Sequence, residues 1–257
     1  MTSALILDPA TTFHRDGVRF PIRVLDDAEL ANARAHVAQV EATQGSALKR
    51  FDRSHLYFRW AYELAQHPRV VDAVSELLGD DVIVWGSLIL SKPPHDPGFV
   101  AWHQDGAYAG FLGEAPAVSA WIALSDSTIE SGCMRVVPGS HKQKLAHEVT
   151  NAPQNLLSHG HEIAAKVDEA TAVDVQLHAG EMSLHHVDII HGSNPNQSSW
   201  ARTGFIVRYT TPAMIRSVTP VVVARGKDVT HLDVMRRAPS DDFEESMRAY
   251  QARSAVA

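Results

Sequence analysis

Cysteine is almost absent: Cys133 stands alone in a chain of 257 residues. A single thiol excludes an internal disulfide framework and any cysteine-rich zinc site. Basic runs are missing as well. The formal net charge is −7, with 23 Lys and Arg against 30 Asp and Glu. That balance removes the electrostatic footprint of a nucleic-acid binder, and no basic amphipathic stretch argues for a membrane surface. No apolar run reaches the length of a transmembrane helix. The opening MTSALILDPATTFHRDG has no basic segment followed by a long apolar one, so no secretory leader is expected. Internal repeats, low-complexity tracts and interdomain linkers are lacking too. What is left is a reduced, cytoplasmic, acidic globular protein, 45% hydrophobic and 21% charged, of a size that one domain can hold. Monomer and homodimer are both open. Against that ordinary background, 15 histidines stand out.

The chain changes character once. Residues 1–25 read as a lead-in with one short strand, GVRFPIRVL, whose Pro21 suits a sheet edge. From Asp26 to about Gln44, acidic residues at a helix start precede Leu30, Ala33, Val37 and Val40 at helical spacing. A second helical stretch runs from about His55 to Leu78, broken near Pro68 and stopped by Gly79. Beyond Asp81 the pattern is β: VIVWGSLIL, FVAWHQD, VSAWIAL, MRVVPG, AVDVQL, EMSLHHV, DIIHGS, TGFIVRYT and SVTPVVVA, separated by Gly, Pro, Asn and Ser. Many short strands without alternating helices predict a sandwich or barrel such as a jelly roll. The polar, His-rich stretch from about Gln143 to Ala170 reads as a long connection over it, of the kind that often forms a lid. A polar helix over about Asp241–Ser254 closes the chain. The expected layout is therefore a single domain over 1–257. It has a helical part at about 1–80, a jelly-roll core at about 81–225 and a C-terminal helix at about 241–254.

Within the β region, WHQDGAY carries His103 and Asp105, and IIHGSNPNQSSWAR carries His191 and Arg202. Residues at i and i+2 on a strand share a face. An imidazole and a carboxylate on one face, joined by a distant imidazole, make a 2-His-1-carboxylate triad with open positions on a non-haem Fe(II). The arginine beyond adds a fixed cation for a dicarboxylate. His-x-Asp alone is weak, since His14/Asp16, His186/Asp188 and His231/Asp233 repeat it. His14 precedes the barrel, His231 has no histidine after it, and His186 is only five positions from His191. His103/Asp105 lies early in the barrel with ample chain beyond it. His185 and His186 compete for the distal position, and His191 is preferred because GSNPN and then Arg202 come after it. His141, His147, His159, His161 and His178 read as loop or surface residues.

Taken together, WHQD (102–105), VSAWIALSDST (118–128), SGCMRVVPGSHK (131–142), GEMSLHHV (180–187) and HGSNPN (191–196), leading to Arg202 and GFIVRY, resemble the phytanoyl-CoA dioxygenase family of Fe(II)/2-oxoglutarate-dependent oxygenases. FHRDG (13–17) is similar to the family's usual start, so the likeness covers most of the chain. The resemblance implies a double-stranded β-helix, a jelly-roll and cupin-like core, with the N-terminal helices packed on it. It implies His103, Asp105 and His191 as iron ligands. Arg202, eleven positions after His191, would hold the distal carboxylate of 2-oxoglutarate, with Ser193 assisting and Trp121 lining the pocket. A guanidinium suits that task because its planar fork meets a carboxylate with two parallel hydrogen bonds. Gly132, Pro138 and Gly139 would shape turns beside the barrel.

The implied cofactors are Fe(II), 2-oxoglutarate and O2. The implied reaction is hydroxylation of an unactivated C–H bond of a small molecule, with release of succinate and CO2. Related halogenases carry a small residue in place of the carboxylate ligand, so the presence of Asp105 implies hydroxylation. Arg53, Lys49, Trp85, Tyr108 and Arg208 are candidate substrate contacts by position. Arg208, six beyond Arg202, would share its strand face as a partner of the ligands, a substrate-binding cation or half of a rim salt bridge. The cations favour an anionic substrate such as a phosphonate, phosphate or carboxylate, with a natural-product intermediate also compatible. Ala109 departs from the bulky aromatic that many relatives place after the tyrosine, which weakens any transfer of substrate identity. Two other readings stay open: an idle jelly-roll binding module, and a cupin-like metalloenzyme independent of 2-oxoglutarate.

Overall fold

The computed structural model describes residues 9–107, 116–150, 152–157, 160–214, 220–227, 229 and 231–254. Two antiparallel sheets face each other. The larger contains β1 (Val18–Arg23), β10 (Glu181–His186), β5 (Ala117–Ala123), β12 (Arg202–Thr210), β3 (Val82–Lys92) and β13 (Val222–Arg225), in that spatial order. A short β2 (Arg50–Asp52) also pairs with β3. The smaller sheet has the order β4 (Val100–His103), β11 (His191–Ser193), β6 (Met134–Val136) and β9 (Val173–Val175). This is the expected jelly roll. β1 forms an edge of the larger sheet, where Pro21 costs no ladder bond.

Strand alternation explains why the larger sheet is buried on both sides. Val118, Ala120 and Ile122 of β5, with Phe205, Val207 and Tyr209 of β12, pack against the helical layer. Trp121 and Ala123, with Ile206, Leu88 and Leu90, turn the other way and meet Met134, Val136 and Val175 of the smaller sheet. The helical layer contains α2 (Asp27–Gln44), α3 (Arg59–Leu64) and α4 (Pro68–Leu78). Asp26 caps α2 through a reciprocal box with Glu29, and Leu30, Ala33, Val37 and Val40 are its buried stripe. α4 starts on Pro68, which fills a first-turn position where its missing N–H is no loss.

The N-terminal third is less purely helical than expected. The lead-in contains a helix, α1 (Pro9–Asp16), with His14 on it, and β1 and β2 both join the larger sheet. The terminal α5 (Phe243–Ser254) presents Phe243, Met247 and Tyr250 to the core. Tyr250 stacks 4.1 Å from Phe51 of β2. The long connection after Gln143 contains its own two-stranded ribbon, β7 (His147–Val149) with β8 (His161–Ile163). Gly132 and Gly139 both take positive φ, +69° and +79°, as turn glycines do. Among the described residues, no helix is long and apolar enough to cross a membrane.

Candidate metal centre

His103 ends β4 and His191 begins β11, and the two are direct cross-strand partners. Their ring centroids lie 4.0 Å apart. Each ring is turned by the same local contact: His103 Nδ1 donates to Ala101 O at 2.9 Å, and His191 Nδ1 donates to Ile189 O at 3.0 Å. That places the proton on Nδ1 and leaves both Nε2 lone pairs facing inward, as metal-ligating histidines are usually held. Burial pushes the His191 imidazolium well below its ordinary range, so the ring is neutral and able to ligate.

Asp105 arrives by a route different from strand alternation. β4 stops at His103, and Asp105 opens a single 3-10 turn, Asp105–Ala107. Gly106 N donates to Val187 O at 2.8 Å, tying this turn to the segment that leads into β11. A side chain at Gly106 would place its Cβ 2.0 Å from Asp188 Oδ1, so the close approach needs glycine. Gln104 braces the turn, its amide donating to Gln143 O and Asp188 O. The result brings Asp105 Oδ1 to 3.7 Å from His103 Nε2. The donor atoms of His103, Asp105 and His191 lie within 4.8 Å of one another, and all three residues are buried. Burial raises the Asp105 carboxyl, but Arg208 and then His103 beside it outweigh that and hold it well below the usual carboxylate range.

Below this centre lies a cationic floor. Arg202 is 1% exposed, and its guanidinium lies 4.5 Å over the Trp121 ring. Its Nε reaches Ser127 Oγ at 3.4 Å, while buried Nη1 has no partner among the described residues. Buried guanidinium donors are rarely left unmade. Among the described residues, an acceptor for Arg202 Nη1 is what this one lacks. Lys92, the register partner of Arg202, is 0% exposed and donates to Ser193 Oγ at 2.6 Å and to Asn194 O. Burial, then the charge of Arg202, pushes its ammonium down to about 6. Arg202, Lys92 and Trp121 thus form one buried group, and Ser193 joins it through Lys92.

Gly204 keeps that floor flat. A Cβ there would stand 2.1 Å from Trp121 Cζ2. Gly204→Ala must therefore displace the indole on which Arg202 rests. The expected result is a loss of roughly 3–8 °C in Tm together with a shifted tryptophan emission; an unaltered melt and spectrum would show that Trp121 is not wedged.

Not every expected contact converges here. Arg208 does face inward, but its guanidinium is bound to Asp105, with Nη2 to Oδ1 at 3.2 Å and Nε to Oδ2 at 3.3 Å. Trp85 lies beside it, the ring centroid 5.7 Å from Arg208 Cζ. The Lys49 ammonium is on Asp96 at 2.9 Å, so the anion-binding task expected of it is already taken by a carboxylate. Arg53 sits in a left-handed turn at φ 55° before Ser54–Leu56. Tyr108, Ala109 and His159 lie outside the described residues. Of the two rivals of His191, His186 turns toward His141 and Phe13. His185 turns inward, 2% exposed, with its ring 4.9 Å from that of His191 and Nδ1 unpartnered.

Lys92 and Ser119 were not singled out from the sequence as parts of this site, and His185 was weighed there only as a rival distal ligand. The signal for Lys92 was present: it is in phase with Leu88 and Leu90 on β3, so alternation points it inward.

The family model described as phytanoyl-CoA dioxygenase (PhyH) matches residues 13–204. Among curated proteins, a probable alpha-ketoglutarate-dependent hypophosphite dioxygenase of Stutzerimonas stutzeri is 29% identical over 165 residues, 63% of this chain and 57% of that protein. The chain thus spans little more than half the length of that relative. An L-proline trans-4-hydroxylase of Streptomyces griseoviridis is 26% identical over 259 residues, 86% of this chain and 96% of that one. Among solved structures, the non-heme monooxygenase ThoJ superposes with a TM-score of 0.80 at 34% identity, over 97% of this chain and 95% of its own.

Proposed function

Because the chain belongs to the phytanoyl-CoA dioxygenase family, we propose that it is an Fe(II)- and 2-oxoglutarate-dependent oxygenase, one catalytic domain that hydroxylates a small molecule with release of succinate and CO2. The observation that carries this reading is the joint presence of a buried His103–Asp105–His191 donor set and a buried Arg202 whose Nη1 lacks an acceptor. The donor chemistry suits Fe(II): two neutral imidazoles and one carboxylate, with three protein ligands leaving room for a co-substrate. When bound, the iron and 2-oxoglutarate supply the oxidising power, and O2 is consumed.

The chain's own residues hold and shield. Arg202 would take the distal carboxylate, Trp121 would wall it, and Ser193, held by Lys92, would complete the polar end. The strands around them exclude water, since His103, Asp105, His191, Ser119 and Arg202 are all under a tenth exposed. A reducing, cytoplasmic setting is part of the reading, because the metal must stay ferrous.

The expectation of an anionic substrate rested on Lys49, Arg53 and Arg208. Two of these already carry a carboxylate, Asp96 and Asp105, so the substrate we propose is a small organic molecule whose charge those residues do not dictate. An idle binding module would have no use for three buried metal donors. A metalloenzyme independent of 2-oxoglutarate would have no use for the unpartnered Arg202.

The test is direct. Anaerobic addition of Fe(II) and 2-oxoglutarate gives a weak visible charge-transfer band, and admission of O2 gives succinate. Tight metal binding without either signal would refute the assignment of the co-substrate.

A further inference from the structure

Asp105 is held by side chains on both of its oxygens. Its two oxygens are treated unequally. Oδ2 receives two donors, Ser119 Oγ at 3.1 Å and Arg208 Nε at 3.3 Å. Oδ1 receives one, Arg208 Nη2 at 3.2 Å, and is the oxygen that stands 3.7 Å from His103 Nε2. A carboxylate oxygen has two strong acceptor directions. Among the described residues both are taken on Oδ2, whereas Oδ1 has Arg208 on one side and faces His103 on the other.

The donors are placed by the sheet itself. Ser119 on β5 is the register partner of Arg208 on β12 and of His185 on β10, so the three form one row across adjacent strands beside Asp105. Gly86 of β3 is opposite Arg208, and a Cβ there would make only ordinary contact, 3.9 Å from Arg208 Cδ. The ladder then shifts register between Arg208 and Tyr209, and the Trp85 ring flanks the guanidinium. The fork meets both oxygens of Asp105.

We propose that Ser119 and Arg208 are positioning residues that restrict Asp105 to one-oxygen ligation through Oδ1, so that Oδ2 cannot close onto the metal and occupy a position needed by the co-substrate. This rests on the oxygenase reading above. A chelating carboxylate would turn a three-donor site into a four-donor site, and a dicarboxylate that binds through two oxygens would lose one of its places. A single-point cation cannot fill the same role, because it cannot engage both oxygens in one plane.

The test uses the full chain and Co(II) alone as its first probe. Co(II) absorbs visible light weakly when six-coordinate and more strongly at lower coordination number, so its spectrum reports ligation without any co-substrate. Arg208→Met combined with Ser119→Ala should alter the Co(II) bands at saturating metal, since a second carboxylate oxygen would displace a water from the metal. In the anaerobic Fe(II) protein it should raise the 2-oxoglutarate concentration at half-maximal band by roughly tenfold or more, the scale on which partners of metal ligands act. Ser119→Ala alone removes one donor from a folded core and should shift both readings in the same direction by less. Arg208→Lys should resemble Arg208→Met and not the wild type. Folded variants with an unchanged Co(II) spectrum and a half-maximal concentration within about twofold of wild type would overturn the proposal. So would weaker Co(II) affinity with a wild-type spectrum once loaded, since the pair would then serve affinity only. A wild-type protein that binds Co(II) but shows no band with Fe(II) and 2-oxoglutarate would refute the co-substrate, and the Co(II) spectra would still decide the clamp.

Discussion

Replacing His103, Asp105 or His191 by alanine, one at a time, should abolish both the anaerobic Fe(II)/2-oxoglutarate band and succinate formation. Each loss should be complete because the donor set has three members and each supplies one atom. With two protein donors left, the metal has no fixed geometry to present. His185 is the neighbour best placed to substitute, but it sits on a different strand and its ring packs 4.9 Å from that of His191 rather than in its place. His185→Ala should therefore keep the band while His191→Ala loses it. Retention of the band in all three ligand variants would end the assignment; its loss in His185→Ala with retention in His191→Ala would move the distal ligand.

The three variants should also differ in stability, measured on metal-free protein. Asp105→Ala takes the partner from Arg208 and Ser119, whereas His103→Ala and His191→Ala each remove a ring whose Nδ1 bonds only a nearby carbonyl. Breaking a wholly buried ion pair costs roughly 3–5 kcal/mol. The loss at Asp105 should be smaller, because the Arg208 side chain is 21% exposed and can recruit water. It should come with a lower Tm and no change in secondary structure.

Arg202→Met should separate folding from binding. Two charge-assisted hydrogen bonds from a guanidinium fork contribute on the order of 3–5 kcal/mol together, so the requirement for 2-oxoglutarate should rise by roughly 100-fold or more. Lys92 does not replace the fork. Removing Arg202 relieves it of a like charge, but its ammonium is fixed on Ser193 and Asn194. Stability of the metal-free protein should move the other way or stay level. Arg202 is fully enclosed, burial pushes its guanidinium down to about 10, and one of its nitrogens is unpartnered. An apolar side chain of similar length escapes those costs. Thermal melts of metal-free protein beside anaerobic titrations check both halves. A 2-oxoglutarate requirement equal to that of wild type would favour a metal centre that works without this co-substrate.

How legible was this in the sequence? The helix after Asp26 was readable down to its buried residues, because an N-cap box and a stripe of Leu30, Ala33, Val37 and Val40 are local facts. The strands beyond Asp81 were readable for the same reason. β2 was not, since three residues carry no periodicity and pair only because β3 offers an edge. The His103–Asp105 pair was legible but for an incomplete reason: alternation on a strand predicts one face, whereas a 3-10 turn delivers the carboxylate. His185 and His186 are adjacent, and only the strand's phase within the sheet says which one turns inward.

By itself, the sequence determined the double-sheet class and the likeness to a family, and pointed to His103, Asp105, His191 and Arg202, all through local patterns or spacing along the chain. Tertiary structure decided where the cations go. Lys49 meets Asp96, Arg208 meets Asp105 and Lys92 meets Ser193 across separations of 47, 103 and 101 residues. The register of three antiparallel strands sets which side chains share a row, and that register is a property of the assembled sheet and not of any one segment.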